Sequence, residues 1–345
     1  MPWTGYNALP PYFGGKRKLC GRIFREVARV YPTGAWSRLG VVDPFLGGGA
    51  VSLYAKARGF SVLCGDLAER SAIVGKALVE NDSVTLGEAD LLRLFVPSER
   101  NTHRVEAGYV PDCFTPEAAR FLDNAFAVAD KVSDPIKRDL MRLLLVKYVF
   151  SLRPHAQFRA PNAFSRPFAE GRWDDIKATY RTAVAANAEH PLPALRRLAR
   201  SVNRGVMRGS QRCRSMKADA LDTIRAGEGA EILYLDPPYP ATLAYEKEYQ
   251  ILDELLGDTH DTSDFSRADG LSVLMDVLSH CGRYPLWVIS YGNAVSSLDD
   301  VKAAVARLRP VRAIEIAYAH LASMASEQKR DQNRELLLVA GEGVA

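Results

Sequence analysis

Two copies of one pattern open the chain. In LGVVDPFLGGGAVSLYAKARGF, Leu39 to Phe60, a short apolar run stops at Asp43, three glycines follow at 47, 48 and 49, and apolar residues then recur at helical spacing. This reads as a buried strand, a glycine turn and a helix. SVLCGDLAERSAIVGKAL, Ser61 to Leu78, repeats the plan with its strand ending at Asp66. From about residue 80 to 190 the pattern changes. Helical stretches such as Pro116–Val132 and Pro135–Leu152 alternate with loops rich in Pro, Arg and Phe. Strand patterns then return: RCRSMKADALDTI reads as strand, turn and helix, and AEILYLDPP, PLWVIS, RAIEIAYA and ELLLVA as further strands.

The pattern predicts an α/β fold with a Rossmann-like sheet, interrupted by a mainly helical insertion. The expected division is 1–80 with 211–345 for a discontinuous α/β domain, and 81–210 for the inserted domain. No internal repeat and no low-complexity tract is visible.

Composition narrows the classes. No run approaches the ~20 apolar residues of a membrane span. The start, MPWTGYNALP, lacks the basic and apolar regions of a signal peptide. The five cysteines, Cys20, Cys64, Cys113, Cys213 and Cys281, are scattered, with no CxxC, CxH or HExxH spacing. A disulfide framework and a metal site are not expected; a reducing cytoplasm is. Net charge is only +4, but Arg138–Lys217 holds 17 Lys and Arg against 5 Asp and Glu. That asymmetry points to a polyanionic partner for one region.

Three motifs sit where strands end. The glycine loop after Asp43 lets backbone approach a ligand closely, and it lacks the Gly-Lys-Ser/Thr of a phosphate loop. Asp66, ending the next strand, suits ribose hydroxyls. Together they read as a nucleoside-cofactor site. In YLDPPYP, Tyr234 to Pro240, three prolines in seven residues stop the strand at Asp236. A stiff backbone then holds a carboxylate and the Tyr239 ring at a strand's carboxyl end. That arrangement fits methylation of an exocyclic amine. The amine lone pair is delocalised into its ring. The Asp236 carboxylate and the Pro237 carbonyl each accept one amino hydrogen, drawing the nitrogen towards tetrahedral geometry, while Tyr239 stacks on a base that has been flipped out.

PPYFGGK, DPFLGGG, Asp66 and LDPPY, in that order, together with the tail AYAHLASMASEQKRDQNRELLLVA, resemble the Dam-type, or D12 class, N6-adenine DNA methyltransferases. The resemblance covers about Pro10–Gly87 and Arg212–Ala340. It implies S-adenosyl-L-methionine as cofactor, double-stranded DNA as partner and a possible setting beside a restriction or defence partner. Tyr12, Phe13, Gly15 and Lys16 match the N-terminal cofactor motif. Asp43, Pro44, Phe45, Gly47 and Gly49 match the loop around the methionine part, and Asp66 the ribose acid. Asp219 matches the acid for the cofactor's adenine amino group. Asp236, Pro237, Pro238 and Tyr239 match the catalytic quartet, with Asp236 also bordering the cofactor. The inserted segment around Arg166 resembles the family's target-recognition stretch, but no glycine stands at 169 and SLRPHAQF replaces the usual Asn-Gly-Leu segment, so no GATC target carries over.

Downstream, Arg196, Arg200, Arg204, Arg208 and Arg212 recur every four positions, a ridge for DNA phosphates if one helix runs through Gly205 and Gly209. DELLGDTHDTSDF, Asp253 to Phe265, reads as an acidic loop. The same amine geometry serves RNA or the cytosine N4 amine, and an inactive methyltransferase-fold DNA-binding subunit is the alternative from another class. A nicotinamide dehydrogenase fits less well, because the Asp-Pro-Pro-Tyr motif has no part in hydride transfer.

Overall fold

The computed structural model describes residues 3–12, 14–111, 113–153, 170–172, 181–238, 244–258, 270–292, 297–317 and 334–344. The chain divides into two compact units, each assembled from several segments. One comprises Phe13–Gly75, Arg208–Ala244 and His260–Ala345; the other comprises Met1–Tyr12, Lys76–Met207 and Tyr245–Thr259.

The first unit is built on a seven-stranded sheet: β1 Gly40–Asp43, β2 Ser61–Asp66, β3 Arg214–Lys217, β4 Ile232–Leu235, β5 Leu286–Gly292, β6 Val311–Ala317 and β7 Arg334–Gly341. Their spatial order is β3-β2-β1-β4-β5-β7-β6. β3, β2, β1, β4 and β5 run parallel, and β7 lies antiparallel between β5 and β6. The expected α/β, Rossmann-like architecture is borne out. β4 and β5 are buried along their whole length, which is why they read as unbroken apolar runs rather than alternating ones. Ile224, Leu274, Val277, Val301 and Val305 from three helices pack with Trp287, Ile289, Leu336 and Leu338 of the sheet. The chain moves outward from β1 to β2 and β3, then returns to β4 on the other side of β1. The order therefore reverses between β1 and β4. In open α/β sheets, ligands bind outside the carboxyl ends of the strands at that reversal.

The second unit is helical among its described residues. Its longer helices start on cues visible in the sequence. Thr115 and Asp134 accept backbone N–H bonds at the N-termini of Pro116–Ala129 and Pro135–Leu152, and both helices carry proline in the first turn. Pro135–Leu152 is buried over most of its length, its central Leu143–Val146 run wholly so. This unit includes more than the 81–210 segment. Lys147 Nζ donates to the carbonyls of Asn7 (2.8 Å) and Leu9 (2.9 Å), tying the N-terminal residues to it. Helix Ala244–Leu256, beyond the Asp-Pro-Pro segment, falls almost wholly within it.

Candidate active site

β1 and β4 are paired in register, Val42 with Leu233. Asp43 ends β1, and Asp236 directly follows Leu235 at the end of β4. Both carboxylates thus stand at the reversal point. Asp43 is 1% exposed. Its Oδ2 accepts a 2.6 Å bond from Ser52 Oγ, while Oδ1 is buried without a hydrogen-bond partner. Burial raises its pKa from 3.8 to about 7, against the Ser52 bond, and the charge of Asp236 pushes the same way as burial.

The glycine turn makes this geometry. Gly47 (φ 50°) and Gly49 (φ 76°) occupy the left-handed region, which glycine enters without steric cost. Gly49 caps helix Ala50–Ala57, whose first turn carries the buried Ser52 to Asp43. The turn is also tied to β2. Gly47 N–H donates to Asp66 Oδ2 (2.8 Å), Ala68 N–H to Asp66 Oδ1 (3.0 Å) and Leu46 N–H to the Gly65 carbonyl (3.0 Å). Desolvation raises the Asp66 pKa, and the two backbone bonds oppose it. A carboxylate has about four lone-pair sites, so Asp66 keeps acceptor capacity beyond these two. Asp219 is exposed, and its Oδ1 caps helix Ala220–Ala226 by accepting from Asp222 N–H at 2.8 Å. Ala218 N–H donates to the Asp66 carbonyl, so Asp219 and Asp66 stand at adjacent strand ends.

Lys16 is 3% exposed. Its Nζ lies 2.8 Å from Asp236 Oδ1, 3.3 Å from Glu335 Oε1 and 3.1 Å from the Gly14 carbonyl, to which it donates. The family resemblance assigned Lys16 to a cofactor motif; its Nζ lies on the Asp236 carboxylate. Glu335, fully buried in β7, had no role assigned. Its signal was an acid heading the apolar run LLLVA, because a carboxylate in a strand buried on both faces needs a partner.

Pro44 and Pro237 are buried, Pro238 is exposed and Gly15 is half-buried. Phe45 packs against the core cluster. Tyr12 belongs to the helical unit, where its ring stacks on Tyr249 with centroids 5.4 Å apart. Phe13, Arg166 and Tyr239 lie outside the described residues.

With this geometry as background, residues 12–106 match the family of D12 class N6 adenine-specific DNA methyltransferases. Over that stretch the chain is similar to the D12 class. Over 340 residues, 95% of this chain and 96% of the relative, it is 21% identical to the Type II methyltransferase M2.HphI of Haemophilus parahaemolyticus. The matched span 12–106 includes Lys16, Asp43, the glycine turn and Asp66. The enzyme class expected from the motifs is borne out.

Two readings change: the arginine ridge, left open at Gly205 and Gly209, and the acidic loop. The five arginines do not share one helix. Helix Pro191–Asn203 ends before Arg204, because Asn203 bonds the Leu86 backbone at both its amide oxygen and nitrogen (2.9 Å each). Gly205 then packs so closely on Ala8 that a side chain there would collide with it. Arg196 is engaged by Glu88, while Arg208 and Arg212 fall in the sheet unit. The second correction concerns the acidic loop. Asp253–Leu256 form the last turn of helix Ala244–Leu256, with Tyr249, Leu252 and Leu256 buried at helical spacing and Tyr109 OH donating to Glu254 at 2.5 Å. The rest of that stretch, 259–265, lies outside the described residues.

Among the described residues no group of three or more His, Cys, Asp or Glu could hold a metal ion, and no helix is long and apolar enough to cross a membrane. The five cysteines are buried and form no disulfide.

Proposed function

We propose that this chain transfers a methyl group from S-adenosyl-L-methionine to the N6 amine of adenine in double-stranded DNA. One observation carries the reading: Asp236, fixed by the buried Lys16 at the end of β4, stands beside Asp43 at the reversal of the sheet. Bound there, S-adenosyl-L-methionine supplies an electrophilic methyl group on a sulfonium cation. The residues fit such a group. The unpartnered, buried Oδ1 of Asp43 lacks a donor, and the α-ammonium end of the methionine part is one. Asp66 has acceptor capacity for two ribose hydroxyls. Asp219, one strand further out, has a second oxygen for an adenine amino group.

On the substrate side, Asp236 and the Pro237 carbonyl each accept one amino hydrogen. The nitrogen loses planarity and its lone pair becomes available. Tyr239 stacks on the flipped base, whose extrusion costs a few kcal/mol. Exposed Arg200 and Arg204 contact phosphates. The enzyme works in the cytoplasm, beside a restriction or defence partner acting on the same DNA.

Transfer of labelled methyl to DNA, followed by digestion to nucleosides, tests the reading. Asp236→Ala should lower turnover by ~10²–10³ or more, the usual loss for an oriented charge stabiliser, with cofactor affinity little changed. N6-methyladenine formed at the parent rate by Asp236→Ala would sink the reading. Label on cytosine, or acceptance of RNA alone, would move the chemistry to another planar amine.

A further inference from the structure

In AVSL, Ala50 to Leu53, one hydroxyl stands among apolar side chains, and all four residues are buried. A serine near the start of a helix ordinarily bonds backbone close by. Ser52 Oγ instead donates to Asp43 Oδ2 at 2.6 Å, nine residues back across the glycine turn. Ser52 is 0% exposed and Asp43 1%, so each group would be costly to bury without the other. The bond fixes one carboxylate oxygen and leaves Oδ1 as the oxygen without a hydrogen-bond partner.

We infer that Ser52 is a positioning residue for cofactor binding: by holding Oδ2 it keeps the Asp43 carboxylate ionised and turned so that Oδ1 receives the α-ammonium of S-adenosyl-L-methionine. The inference rests on the proposed methyltransferase reading and deepens it. A hydrogen bond donated to a carboxylate favours its charged form, and a charged acceptor binds an ammonium more strongly than a neutral acid does. Burial pushes the Asp43 pKa up to about 7, and the Ser52 bond is the largest influence opposing that rise. Three titratable groups face Asp43: Asp66 from β2, and Tyr234 and Asp236 from β4 and its end, with Lys16 on Asp236. Asp236 and Asp66 both disfavour the Asp43 charge, while the Phe45 backbone works with Ser52. Without Ser52, burial and the two acids hold Asp43 neutral to higher pH. Cofactor affinity should therefore rise as pH passes through the Asp43 pKa, and removing the hydroxyl should move that rise upward.

The test is calorimetry of S-adenosyl-L-methionine binding to the full chain and to Ser52→Ala, at several pH values from 6.5 to 9. The ratio of the two Kd values cancels any titration of the cofactor itself. At pH 6.5 the variant should bind ~10-fold more weakly, the size of one lost bond to a charged group. By pH 9 the two proteins should agree within about twofold. Ser52→Thr, which keeps the hydroxyl, should recover part of the affinity at pH 6.5. A second readout needs no cofactor: ¹³C-carboxyl NMR of the free protein should show the Asp43 titration midpoint at higher pH in Ser52→Ala than in the parent. A structural role alone would lower the melting temperature and weaken binding by one factor at every pH. A ratio that does not vary with pH, a ratio within twofold at pH 6.5, or an unmoved Asp43 midpoint overturns the inference. If Ser52→Ala does not fold, Ser52→Cys, close in shape but only a weak donor, takes its place with the same expectations. A parent that binds no S-adenosyl-L-methionine counts against the methyltransferase reading, whereas a parent that binds it beside an indifferent Ser52→Ala removes only the role of Ser52.

Discussion

Asp43 shows how one carboxylate couples chemistry to stability. Its pKa in the folded chain is about 7, against ~3.9 when unfolded. Between those values the folded protein holds a proton that the unfolded chain has released. Stability is therefore fully present below pH ~4 and declines as pH rises through about 7, by up to ~1.4 kcal/mol per unit. Asp43→Asn should flatten this decline relative to the parent, measured by urea unfolding at several pH values from 4.5 to 8. An identical slope in the two proteins would mean that Asp43 is ionised in the fold. At this scale the sequence was partly legible. Asp43, Asp66 and Asp236 were identifiable because each follows an apolar run at a strand end, whereas Asp219 follows the polar RSMKA and was marked only by the family resemblance. Ser52 and Glu335 were not, because their importance comes from the fold: the glycine turn brings Ser52 back onto Asp43, and the partner of Glu335 lies at the other end of the sequence, at Lys16.

The elements themselves were mostly legible. Buried parallel strands leave uninterrupted apolar runs, and the helices Pro116–Ala129 and Pro135–Leu152 carry Thr-Pro and Asp-Pro starts. Helix ends were harder to read. The periodic arginines made a ridge conditional on a helix running through Gly205 and Gly209; the helix stops there, with Asn203 on Leu86 and Gly205 on Ala8, and only the glycines were visible locally. What survives of the ridge is Arg200 and Arg204, exposed opposite the buried stripe Leu195, Ala199 and Val202. Neutralising both to Gln should weaken binding to all DNA sequences alike and lower the log–log salt slope by about one unit per lost phosphate contact. A slope equal to the parent's would make these arginines an ordinary solvated face. Arg196, already engaged by Glu88, should contribute less when replaced.

For the molecule as a whole, the alternation of strand and helix patterns announced an α/β sheet with an interruption, but the membership of the units was not legible. Residues 3–12 and the helix after the Asp-Pro-Pro turn join the helical unit through non-local contacts such as Lys147 with Asn7 and Tyr12 with Tyr249. β7 has the largest consequence. It is the common neighbour of β5 and β6, and Leu336, Leu337, Leu338 and Val339 are each at most 1% exposed. At ~1.5–3 kcal/mol for each such side chain, their loss approaches the ~5–15 kcal/mol by which a domain is stable. A chain ending before Arg334 should lose its cooperative thermal transition and expose β5 as an unpaired edge, seen as insoluble expression; a soluble truncation with a parent-like melt would contradict this. The same order of strands governs synthesis. Lys16 precedes Glu335 by 319 residues in the chain, so the acid–lysine–acid group closes only after β7 has been made. A chain made only as far as β6 has its glycine turn but not its finished centre, and the nascent enzyme stays silent until β7 slots into the sheet.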